Sequence, residues 1–181
     1  MGNSWSALRR ELEKDFLCDA LKGRVQYFVT HYHKAPDNYG RVAIRVDGKE
    51  VIMGNPYDYY VKGYSNKEYS IKSELEIPRR EWTPKGTLYE KENEEIEDMV
   101  NQIAINDGIF DIYDIVSAIR EYKNLDIRLS INSVNPIIRM FSILDRRIGK
   151  RTLIKLIPEI EKQPEWLKIF YRLRLESEGL L

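Results

Sequence analysis

The only two histidines of the chain, His31 and His33, close the run VQYFVTHYH, two residues apart. On a strand, residues so spaced project from one face, and two imidazoles on one face can share a metal ion. A carboxylate would have to complete the set. Asp37 and Asp47, near the following turns, are the candidates, and two histidines with one carboxylate suit a non-haem iron or a catalytic zinc. No second motif supports that reading. Histidines at a strand end before a polar turn are as a rule solvated or bonded to backbone, and that identity is preferred.

Between residues 139 and 155 lie Arg139, Arg146, Arg147, Lys150, Arg151 and Lys155, against the single acid Asp145. A local excess of cations is the footprint of a phosphate-binding surface. At helical spacing Ile137, Phe141, Leu144 and Ile148 share a face and should be buried, leaving Arg139 and Arg146 opposite, with Arg147 alongside. Short helices joined by a turn resemble helix-turn-helix geometry, without a recognition-helix pattern to match. The alternatives are a solvated face, or arginines paired internally with the acids of ENEEIED.

A second surface is tyrosine-rich: Tyr57, Tyr59, Tyr60, Tyr64 and Tyr69, with Lys62 and Lys67 between them. Such rings can stack the bases of a single strand or hold a protein partner. A half-buried segment packed over the sheet, hydroxyls to water, is the plainer expectation. The run EKENEEIED could place Glu90, Glu94 and Glu97 on one helical face for acid–base or magnesium chemistry. An acidic first turn also stabilises a helix start without any such role. Cys18 follows Leu17 near a helix end. A nucleophile there would need His31 or His33 as base, and its neighbour Asp19 would oppose thiolate formation, so a small buried residue is expected. No glycine-rich phosphate loop, nucleophile elbow or zinc-ribbon spacing is present.

The elements that must position these groups fall into two halves. Ser4 or Ser6 can cap a first helix carrying Leu8, Leu12 and Phe16, with Gly23 at its exit. Val25, Tyr27 and Val29 alternate as a strand, as do Val42, Ile44 and Val46, and Asp47–Gly48 is a hairpin signal leading to Glu50–Met53. Residues 65–76 can form a helix, and IPRREWTPKGT reads as the connection between halves. Beyond it four or five short helices are expected. One carries Ile96, Met99, Val100 and Ile103; another has Ile112, Ile115, Val116, Ile119 and Tyr122 on one face. A third starts at Pro136 with a break at Gly149, and a Pro-initiated helix closes the chain. The fold class expected is therefore α+β: a helix and a small antiparallel sheet, then a helical bundle. Residues 1–181 should pack as one unit, with 1–85 and 86–181 as sub-lobes.

Composition sets the outer bounds. Twenty-nine basic and 29 acidic residues cancel, and 43% of residues are hydrophobic, so a packed core is expected and bulk charge argues for neither nucleic acid nor membrane. One cysteine cannot make an internal disulfide. The opening MGNSWS fits a myristoylation pattern at Gly2 and Ser6, a short pattern not expected to act here. With neither a signal-type run nor a membrane span, a cytoplasmic protein without a cofactor is expected.

The stretches SWSALRRELE, FLCDALKGRVQYFVTHY, GRVAIRVDGKEV and SVNPIIRMFSILDRRIGKRTL together resemble an uncharacterised family of small bacterial proteins with no assigned activity. The resemblance implies a stand-alone bacterial protein whose halves belong together, and it transfers no catalytic residue. Function is left between three classes. A non-enzymatic binding or regulatory protein, with a protein or nucleic-acid partner, is favoured. Its contacts would be the basic segment together with Tyr57, Tyr59 and Tyr60. A metal-dependent enzyme using His31 and His33 and a structural subunit are the alternatives.

Overall fold

The structure, a computed structural model, describes residues 5–31, 40–76, 82–83, 86–87 and 90–181. Alternation of apolar side chains makes the three strands β1 (Val25–His31), β2 (Gly40–Val46) and β3 (Lys49–Gly54), antiparallel in the order β1-β2-β3. Val25 pairs with Val46 and His31 with Gly40, which sets Val25, Tyr27, Val42, Ile44 and Ile52 into the core. Asp47 (φ 49°) and Gly48 (φ 80°) both take the left-handed conformation that a tight two-residue hairpin demands. Arg24 closes the turn with two hydrogen bonds, of 2.9 and 2.8 Å, to the Asp47 carboxylate.

The N-terminal helix α1 (Trp5–Glu11) does not continue at α-helical pitch; it widens into a π turn over Leu12–Phe16. Leu8 and Leu12 are buried, and the chain then runs against the far half of the molecule. There the Cys18 amide donates to the Leu144 carbonyl at 3.0 Å and the Arg146 amide to the Phe16 carbonyl at 2.8 Å.

After β3 come α2 (Pro56–Asp58), a π turn over Tyr59–Tyr64, and α3 (Ser65–Glu74). A short hairpin, β4 (Trp82–Thr83) with β5 (Gly86–Thr87), lies within the expected connecting region. The helical half comprises α4 (Glu90–Asn106), α5 (Ile112–Asn124), α6 (Ile127–Ser130), α7 (Pro136–Leu144), α8 (Lys150–Leu156), a 3-10 turn over Ile157–Lys162, and α9 (Glu165–Ser177). It is more finely divided than the sequence suggests. α6 is a single extra turn, capped where the Asp126 side chain accepts from the Arg128 amide, and α7 stops at Asp145, before Gly149. The reason lies in Asp145 itself: it leaves helical geometry and turns its carboxylate inward. The molecule is thus α+β, with a small antiparallel sheet and a helical C-terminal half. One cluster of buried side chains runs from Leu8 through Tyr27, Ile44, Ile119 and Phe141 to Leu175.

Candidate functional site

The tyrosine-rich segment is built by its π turn. Bonding from residue i to i+5 brings residues five apart over one another, so Tyr59 and Tyr64 meet at 6.0 Å between ring centroids, with Tyr60 at 5.2 Å from Tyr59 and 5.9 Å from Tyr64. Tyr59 is buried, whereas Tyr57 and Tyr60 are exposed. The segment is clamped from behind. The Asn55 amide donates to the Phe110 carbonyl at 3.2 Å, and a Cβ on Gly63 would stand 2.9 Å from Ile109 Cγ2, so only glycine allows this approach. Beneath it α3 and α4 close over a small separate core of Ile71, Ile96 and Val100, with Tyr64 packed against it.

From this wall a polar chain runs inward. The Tyr59 hydroxyl donates to Asn101 Oδ1 at 3.1 Å, and Asn101 Nδ2 donates to Asp114 Oδ1 at 3.3 Å. Asp114 Oδ2 accepts from the Asp111 amide at 2.8 Å, and Asp111 Oδ1 accepts from the Ile112 amide at 2.6 Å. The two aspartates form the reciprocal capping box of α5. Together with Glu68, Glu97 and Asp98 they line an open recess of about 420 Å³ whose other walls are Tyr59, Tyr60, Tyr64 and Asn101. Among the described residues only Glu68 of these acids has an ion pair, with Lys72. Burial raises the carboxyl pKa of Asp111 and of Asp114 above the usual value, against the opposing backbone hydrogen bonds, and burial likewise raises the Tyr59 phenol.

The basic segment divides. Arg139 is partly buried: its Nη1 donates to the Ser133 carbonyl at 2.6 Å and the Val134 carbonyl at 3.1 Å, and its Nε to Gln163 Oε1 at 3.0 Å. Burial lowers its pKa. Arg147 is fixed on the fully buried Asp145 through Nε (2.9 Å) and Nη2 (2.6 Å), with its guanidinium over Phe16 and Tyr122. Hydrogen bonding to Asp145 raises the arginine pKa, and the Tyr122 hydroxyl donates to the same carboxylate. Lys150 donates to the Glu178 carbonyl at 3.1 Å. The internal partners are therefore Asp145 and Glu178, while the described ion pairs show none of these cations on the acids of ENEEIED. Arg146, Arg151 and Lys155 face solvent.

His31 ends β1 opposite Gly40, and His33 and Asp37 lie outside the described residues. Asp47 sits past the opposite end of the strand, beside Arg24. Six strand steps separate Val25 from His31, about 20 Å, so Asp47 cannot complete a site with His31. Cys18 is buried, and burial pushes its thiol pKa up, with Arg174 nearby pulling against it. Among the described residues no group of three or more histidine, cysteine or carboxylate side chains is placed to hold a metal ion.

Fold and recess together define a small α+β protein with an acidic, tyrosine-walled concavity. The chain belongs to the SF0329 protein family, whose sequence pattern it matches over residues 4–175. No curated protein and no solved structure matches it. Among the described residues no helix is long and apolar enough to cross a membrane. The sequence points to the tyrosines but not to their companions. Asn101 is 42 residues from Tyr59, in a helix without a motif, and the spacing Asp111-x-x-Asp114 is the one signal, which reads as a helix cap.

Proposed function

We propose that the protein is a non-enzymatic, cytoplasmic bacterial binding or regulatory protein, and that it recognises its ligand in the recess behind Tyr59, Tyr60 and Tyr64. The observation that carries this reading is the recess itself. At about 420 Å³ it falls in the size range of small-molecule sites, and its polar groups are fixed. Each of Tyr59, Asn101, Asp114 and Asp111 is tied to the next by a hydrogen bond, an arrangement suited to holding a ligand in one orientation. The bacterial part of the reading rests on the resemblance of the stretches SWSALRRELE and SVNPIIRMFSILDRRIGKRTL to small bacterial proteins, and the cytoplasmic part on a lone cysteine of the kind a reducing compartment tolerates. The test is a thermal-shift and calorimetric screen of the full chain against small cationic, neutral and anionic compounds. A compound that raises the melting temperature of the parent but not of Asn101→Ala supports the reading. If no compound of any class binds, the recess is not a recognition site.

A second surface has its own observation. Arg146, Arg151 and Lys155 are exposed at the end of α7 and along α8, and three such cations can take an anionic partner such as nucleic acid. Salt-titrated binding by the parent, beside a variant with alanine at all three, decides it.

A further inference from the structure

We propose that the recess takes a small free organic amine carrying more than one positive charge, an elongated polyamine in shape, with ammonium groups set between tyrosine faces and carboxylates. This rests on reading the recess as a recognition site and names the ligand class for it. Four carboxylates on its walls, Glu97, Asp98, Asp111 and Asp114, have no ion-pair partner among the described residues. Elsewhere the protein matches its half-buried acids: Asp58 with Lys62, and Glu50 with Arg41 and Arg45. Asp111 and Asp114 are in addition partly withdrawn from water, and an ionised group so placed is costly without a counter-charge. An amine supplies that charge. Tyrosine faces attract a cation through the ring quadrupole, and the edge-on packing of Tyr59 against Tyr60 (82° between ring planes) holds two ring orientations around the opening. A metal ion fits less well, since among the described residues no three carboxylate, histidine or cysteine side chains are placed to hold one. The four acids come from two places, Glu97 and Asp98 within α4 and Asp111 and Asp114 at the start of α5, which suits charges separated along a chain of methylenes, whose apolar length the tyrosine rings can cover.

The experiment is calorimetry of the full chain with spermidine, with triethylene glycol as a neutral compound of similar length, with adipate as an anion, and with trilysine as a peptide source of the same ammonium group. Asp114→Asn and the double variant Glu97→Gln/Asp98→Asn are run in parallel, each checked for an unchanged circular dichroism spectrum. Expected is spermidine binding, weakened at least tenfold in both variants, with little from the neutral compound and none from adipate. Spermidine binding that neither variant weakens places the cation elsewhere and overturns the inference. Binding of trilysine alone overturns the free amine in favour of a basic peptide. Binding of the glycol or adipate without spermidine overturns the cation while leaving the recess a recognition site; silence from all four, with no hit in the broader screen, removes both readings.

Discussion

At the scale of single residues, two carboxylate environments make opposite predictions. Asp145 is fully buried and held by Arg147 and Tyr122. Replacing Arg147 with alanine leaves that charge without its counter-ion; losing one partner of a fully buried pair costs about 3–5 kcal/mol, and because 39% of the Arg147 side chain is exposed the low end, about 3 kcal/mol, applies here. Chemical denaturation of Arg147→Ala should show a loss of that order, and Tyr122→Phe a smaller one, about 1–3 kcal/mol, for a single missing donor. A loss within 0.5 kcal/mol for Arg147→Ala, roughly what an ordinary surface change gives, would show the contact to be incidental. Asp114 behaves otherwise. Its folded-state pKa is raised above the unfolded value of 3.8 by burial, so its contribution to stability is fully present below 3.8 and is lost as pH rises through the folded value. Asp114→Asn keeps an acceptor for the Asp111 amide and removes the charge. It should therefore melt higher than the parent at neutral pH, with the difference closing on acidification. Amine binding follows the same group with the other sign: it needs the ionised carboxylate and should weaken as pH falls toward the raised value, which calorimetry at stepped pH reads directly.

At the scale of elements, the strands were legible because a half-buried strand alternates, and Val25/Tyr27 and Val42/Ile44 do so on either side of an Asp-Gly turn. Ile137, Phe141 and Leu144 were legible as buried at helical period, but α7 is buried on nearly every side rather than on one face, and Ile148 is buried beyond its end. Neither π turn was legible, because a search at 3.6 residues per turn has no place for five-residue spacing. Leu12 and Phe16 read as one more helical turn, and Tyr59 and Tyr64 as members of one tyrosine-rich stretch with no contact between their rings implied. Nor could the sequence separate cations that cap and pair, such as Arg139 and Arg147, from those left in solvent, since that depends on carbonyls and acids brought near by folding. The π turn over 59–64 gives this scale its prediction. Gly63→Ala forces a Cβ to within 2.9 Å of Ile109 Cγ2, and overpacking of that kind costs about 1–3 kcal/mol. The tyrosine wall should shift with it, so the variant should bind spermidine more weakly than its stability loss alone explains. Unchanged affinity in a folded Gly63→Ala would show that the wall does not depend on this approach.

At the scale of the whole molecule, the question is whether the sheet half can exist without the helical half. The buried faces of the first half find their partners in the second. Tyr27 packs against Phe141 at 5.9 Å, Phe16 against Tyr122 at 5.4 Å, and Gly54 forms a bridge with Phe110. The backbone bonds of Cys18 and Arg146 stitch the π turn over 12–16 to the exit of α7. Cut between the halves, the sheet would expose Val25, Tyr27, Ile44 and Ile52 to water, each losing about 1.5–3 kcal/mol of burial. A three-stranded sheet with the short helices α1, α2 and α3 has little else to offset that, since small units bury too little surface to stand alone. Residues 1–85 and 86–181 expressed separately should therefore each lack a cooperative melt, and mixing them should restore one if the interface alone carries the fold. A cooperative transition in the isolated 86–181 fragment would instead make it an independent domain. The recess would then lie between two domains, because its tyrosines come from the first half and its aspartates from the second.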